Sequence, residues 1–135
     1  VKQLLSLDLS GYDKIVLVGS SMGAYVATVT AAMLGASDLF LLAPAFYLPG
    51  YQCTQFSPPE HTLVIHGWQD DIVPPENAWR FCQQYRCQLK MLDADHRLTS
   101  HLMELTDEFK RFLVTIPDEQ LMASANAIMR NAKFR

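Results

Sequence analysis

The chain has 135 residues, of which 50% are hydrophobic and 19% charged, with a formal net charge of −3. That composition fits one soluble globular domain, and the acidic balance excludes nucleic acid and anionic membranes as electrostatically favoured partners. No apolar run approaches the roughly 18 residues that cross a bilayer, so no membrane span is expected.

Lys2 to Leu9 reads as the tail of a helix that stops at Ser10-Gly11. Lys14 to Ser20 (KIVLVGS) is a short, β-branched run of the kind buried in parallel sheets. Gly19-Ser20-Ser21-Met22-Gly23 follows at its end and has the form G-x-S-x-G. Between a buried strand and a helix, such a motif makes a sharp turn that lifts the central Ser21 above the sheet edge. Its glycines are expected to avoid collisions with neighbouring backbone. The turn also aims the Met22 N–H and the helix N-terminus at one point, where both would stabilise an oxyanion. The bland alternative is a plain Gly-Ser turn.

Met22 to Leu34 is rich in Ala and ends at Gly35, so it reads as a helix. Asp38 to Ala43 (DLFLLA) is a second buried strand, closed by Pro44. Pro44 to His61 is a loop long enough to carry function. Its Phe46, Tyr47, Leu48, Tyr51 and Phe56 either wall an apolar pocket or pack over the sheet edge. Thr62 to His66 is a third strand. His66-Gly67-Trp68-Gln69-Asp70-Asp71-Ile72-Val73-Pro74 follows it. A carboxylate just past a parallel strand's C-terminal end shares the sheet edge with Ser21. Asp70 or Asp71 can therefore orient a histidine, or both can cap the next helix.

Pro74-Pro75-Glu76 opens that helix, which runs to about Tyr85 with Ala78, Phe81, Cys82 and Tyr85 on one stripe. Gln88 to Leu92 is a fourth strand, and His96 lies on the loop after it. A histidine there can reach a serine on the same edge. His61 precedes a strand and so belongs to the opposite edge, His66 ends a strand and reads as structural, and His101 lies within a helix. That last helix is expected to be capped by Thr99 or Ser100 and to reach Val114, with Leu102, Leu105, Phe109, Phe112 and Leu113 facing the core. After Pro117, the spacing of Leu121, Met122, Ala125, Ile128, Met129 and Ala132 fits a further amphipathic helix.

Strands alternating with helices imply an α/β domain with a mostly parallel sheet covered by helices. The three cysteines, Cys53, Cys82 and Cys87, are odd in number and form no C-x-x-C pair. They read as free thiols of a reducing, cytoplasmic compartment rather than as a zinc site.

Ser, Asp and His, in that order and each just after a strand, resemble the α/β-hydrolase superfamily, in particular its small esterase-like serine hydrolases. Gly19 to Gly23 matches the family's nucleophile elbow, and His66-Gly67-x-x-Asp70-x-x-Val73-Pro74 matches its H-G-x-x-D-x-x-V-P pattern. Asp95-His96-Arg97-Leu98 is similar to its histidine loop. The resemblance selects Asp70 over Asp71 and covers residues 1–114 of a single 1–135 domain, with 115–135 as an extra helix. It implies Ser21 as nucleophile, His96 as base and Asp70 as orienting acid, acting on a small ester-like substrate with no metal or organic cofactor. Met22, Trp68, Phe46 and Tyr47 are the expected oxyanion and substrate neighbours.

Family members carry several strands ahead of the elbow strand, and a loop there supplies a second oxyanion amide. Here only a short helical segment precedes Lys14. One missing oxyanion donor typically costs about 10²–10³ in rate. The elbow strand would become an exposed apolar edge, open to self-association. A chain beginning at Val1 is therefore expected to be a fragment of a longer protein. Two alternatives to a hydrolase are an interaction module that pairs through that edge and an acyltransferase on the same scaffold.

Overall fold

A computed structural model describes residues 1–114. The expected helix after Pro117 lies outside the described residues. Four strands form one parallel sheet in the order β1 (Val16–Ser20), β2 (Asp38–Leu42), β3 (His61–Gly67), β4 (Gln88–Leu92). The helices are α1 (Lys2–Leu5), α2 (Met22–Leu34), α3 (Pro75–Tyr85) and α4 (Leu102–Val114). The fold is thus the α/β type expected, with a mostly parallel sheet between helical layers.

β2 and β3 are buried along nearly their whole length because both of their faces are covered. Successive side chains alternate between two cores. Leu39, Leu41 and Val64 pack with Ala24, Ala27, Ala31, Ala78 and Phe81 on the α2–α3 face. Phe40, Leu42 and Ile65 pack with Leu105, Phe109, Phe112 and Leu113 of α4 on the other. α2 fits closely because its sheet-facing side is mainly Ala. Its two buried threonines direct their hydroxyls back to the Ala24 and Val26 carbonyls of their own helix, so neither leaves a lone donor in the core.

α2 ends at Gly35, in the left-handed region with φ 68°. α3 ends on Arg86 with φ 58°, and the Cys87 N–H closes on the Cys82 carbonyl at 3.1 Å. That closure turns the chain directly into β4.

Three expectations fail locally. The N-terminal helix is a single four-residue turn with no buried side chain, so nothing extends it to Leu9. A 3-10 turn, Thr99–His101, precedes α4, and no side chain caps it; its lead residue is Leu98 at φ 58°. Leu102, at the first turn of α4, is 46% exposed rather than in the core, because the sheet-facing stripe begins at Leu105.

Candidate active site

The C-terminal ends of β1, β3 and β4 lie along one sheet edge, and Ser21, Asp70 and His96 follow those ends. Ser21 Oγ is 2.9 Å from His96 Nε2, and His96 Nδ1 is 2.7 Å from Asp70 Oδ2. A carboxylate oxygen can only accept, so Nδ1 carries the ring proton and Nε2 is the lone pair facing the Ser21 hydroxyl. The result is a continuous relay from carboxylate to hydroxyl.

Ser21 sits at φ 54°, ψ −117°, a conformation that side-chain-bearing residues rarely adopt. Three backbone bonds hold it there. Its N–H donates to the Leu42 carbonyl at 2.8 Å, and its carbonyl accepts from Tyr25 at 3.2 Å and Ala45 at 3.1 Å. The tightness of the turn explains Gly19. A Cβ there would lie 2.5 Å from the Gly23 carbonyl oxygen and 2.6 Å from the Ala24 nitrogen. Gly23 differs from expectation: a Cβ at that position meets nothing within 4 Å. Only the first glycine is sterically required. Met22 opens α2 with its side chain exposed, and its N–H belongs to the first helical turn, which has no carbonyl partner within the helix.

Asp70 is chosen over Asp71 by the way its loop folds. Its side chain is wholly buried, and Oδ1 accepts from the Ile72 N–H at 2.9 Å and the Val73 N–H at 2.8 Å. One carboxylate therefore folds the loop with one oxygen and faces His96 with the other. Asp71 is exposed.

The loops carrying Asp70 and His96 are laced together. Trp68 N–H donates to Leu92 O at 2.8 Å and Gln69 N–H to Ala94 O at 3.0 Å. Gly67 makes this crossing possible, since a Cβ there would fall 2.2 Å from the Ala94 oxygen and 2.7 Å from the Asp95 oxygen. The glycine of the H-G pair is thus a requirement of close approach, which no local pattern in the sequence indicates.

The expected substrate neighbours separate. Phe46 is fully buried and stacks on Phe81 with ring centroids 4.2 Å apart, so it belongs to the α2–α3 core and not to a pocket wall. Tyr47 adjoins it under the Arg80 guanidinium, 3.9 Å from its ring centroid, and burial pushes its phenol above the usual range. Trp68 is exposed and lines a groove with Pro75 and Glu76, which open α3, and with Trp79, Leu89 and Met91.

Of the other histidines, His61 begins β3 at the far edge, where it pairs with the Asp38 carboxylate and stacks on Phe112. His101 contacts the Asp93 carbonyl and Glu104, and the Asp93 bond first, then Glu104, raises its pKa. His66 is fully buried and bonded to the Val73 carbonyl, as a structural role requires, and its Nε2 also lies 3.1 Å from Asp70 Oδ2. Among the described residues, no cluster of His, Cys, Asp and Glu is arranged to hold a metal ion. None of the described helices is long and apolar enough to cross a membrane.

No family model and no curated protein matches the chain. Solved structures do. A protein of the α/β-hydrolase superfamily from Xanthomonas campestris pv. campestris superposes with TM-score 0.75 at 23% identity, covering 85% of this chain and 67% of its own. An α/β serine hydrolase without a lid, also from Xanthomonas campestris, gives TM-score 0.69 at 27% identity, covering 78% of this chain and 50% of its own. An α/β serine hydrolase homologue from Coxiella burnetii gives 0.64 at 29% identity, covering 76% and 50%. The chain spans half to two thirds of the length of these proteins, and its fold is part of the α/β-hydrolase fold.

Proposed function

We propose that the chain carries the catalytic residues of a serine hydrolase acting on an ester-like bond. The observation that supports this most is the relay from Asp70 through His96 to a hydroxyl held at positive φ above the sheet edge. Ser21 Oγ attacks the carbonyl carbon while its proton passes to His96 Nε2. The oxyanion faces the Met22 N–H and the N-terminus of α2. Collapse expels the alcohol, which takes the proton from Nε2, and leaves an acyl-enzyme. Water then attacks that ester and gives a proton to Nε2; collapse passes this proton on to the leaving Ser21 Oγ and releases the acid. Asp70 holds the imidazole tautomer throughout and stabilises the imidazolium.

A fluorophosphonate probe, which is captured by an activated serine, tests this reading. Wild-type chain is expected to label at Ser21 and Ser21→Ala to lose labelling entirely, as read by intact-mass and peptide spectrometry. Folded wild-type protein that does not label would overturn the reading for this chain.

A second reading rests on β1, whose outer edge has no strand partner among the described residues. An interaction module would use that edge to pair with itself or another chain. A monomer at every concentration in gel filtration would argue against it.

A further inference from the structure

We propose that His66 is a positioning residue that holds the Asp70 loop by its Nε2–H bond to the Val73 carbonyl and sets its ring edge against the Asp70 carboxylate; the proposal rests on the Ser21–His96–Asp70 reading. His66 is fully buried near the end of β3. Its Nε2 is 2.9 Å from the Val73 carbonyl oxygen and 3.1 Å from Asp70 Oδ2. Both neighbours are acceptors, so a lone pair at Nε2 would face two oxygens; this nitrogen must bear the proton. It donates to Val73 O and presents the same positive edge to Oδ2. Nδ1 is buried without a hydrogen-bond partner among the described residues, as suits the unprotonated nitrogen of a neutral ring. Burial also pushes the His66 pKa below the ordinary histidine value.

The consequence concerns the division of labour on Asp70. Oδ1 is fixed by the Ile72 and Val73 amides. Oδ2 faces two imidazoles, His96 and His66. His96 changes charge during the proposed reaction and is partly exposed; His66 is neutral, packed and does neither. It therefore anchors the oxygen that His96 depends on. The bond to Val73 O closes the loop that carries Asp70, and it holds the positive Nε2–H edge beside Oδ2. Removing the donor frees Oδ2 to turn and lets the His96 ring lose its aim at Ser21, while substrate contacts stay unchanged.

The test uses the full chain with His66→Gln, His66→Met and His66→Asn. Gln can place an amide N–H near the position of Nε2. Met has similar size and no donor, and Asn is too short to reach it. For hydrolysis of p-nitrophenyl acetate, Met and Asn are expected to lower kcat about tenfold with KM unchanged, and Gln to restore most of it. A ¹⁵N-labelled Ser21→Ala background supplies a readout independent of turnover. There the low-field Nδ1–H resonance of His96 should persist with Gln and broaden or vanish with Met.

Equal kcat in all folded forms, equal loss with Gln and Met, or an unchanged resonance in every variant would each overturn the proposal. So would failure of both donorless variants to fold beside a folded Gln variant, which would make His66 a folding residue. If wild-type protein neither labels nor turns over, the hydrolase reading falls, and the resonance still decides whether His66 sets the position of Asp70.

Discussion

The two edges of the sheet are built differently. β4 is a protected edge: Gln88 is exposed, and Lys90 is paired with Glu108 of α4, so a charge stands where another strand would dock. β1 carries Val16-Leu17-Val18-Gly19-Ser20 with no charge at all. Val16 to Gly19 are half-buried and Ser20 exposed where β2 is wholly buried, and among the described residues the short α1 lies beside this strand. The site spans both. His96 follows the protected edge and is laced to the Asp70 loop, whereas Ser21 follows the open one. The Asp70–His96 half of the proposed site is therefore stabilised within these residues. The Ser21 half leans on β2 and the start of the following loop.

The largest effects should come from crowding each half. Gly67→Ala would drive a methyl into the Ala94 carbonyl and part the two laced loops. Gly19→Ala would drive one into the Gly23 backbone beneath the elbow. Each is expected to lower stability by about 1–3 kcal/mol or more, and Gly23→Ala to stay within about 1 kcal/mol of wild type. Urea denaturation measures all three, and a costly Gly23→Ala would show that the elbow is tighter than its geometry implies.

An intermediate effect is expected at the open edge. Val16→Lys places on β1 the kind of charge that β4 already has. Any concentration-dependent dimer seen by sedimentation should weaken on the order of tenfold, at a stability cost near 1 kcal/mol. An unchanged dimer would mean that association uses a different surface.

The smallest effect concerns the β4 clamp. Lys90, the nearer of two cations, holds the Glu108 carboxyl below its ordinary range, with Arg111 adding to it. A carboxylate depressed in the folded state stabilises above its unfolded pKa and loses that contribution as pH falls through the folded value. Glu108→Gln should therefore cost up to about 1 kcal/mol at neutral pH. The gap to wild type should close as the pH drops below the ordinary glutamate value of 4.5, as followed by thermal melts.

Most of the elements were legible in the chain because they depend on near neighbours. β2 and β3 are apolar runs bounded by Pro and polar turns, and α2 runs from Met22 to a left-handed Gly35 as its composition demands. The weakest local signals failed: a four-residue helix has no buried stripe to show, and Leu102 lies on the periodic face but one turn too early for the sheet.

The order Ser21, Asp70, His96, each after a strand, is a property of the sequence alone, because a parallel sheet sends every strand's C-terminal end to one edge. What only the tertiary structure decided lies between residues far apart in the chain. Ser21 and His96 are 75 positions apart and Asp70 and His96 are 26, and no local period reports on either contact. The same holds for Gly67 under the Ala94 carbonyl, for Phe46 drawn into the core by Phe81, and for His66 against Asp70. Residue type limits which groups could act; through-space distance, set by how two loops cross, decides which of them meet.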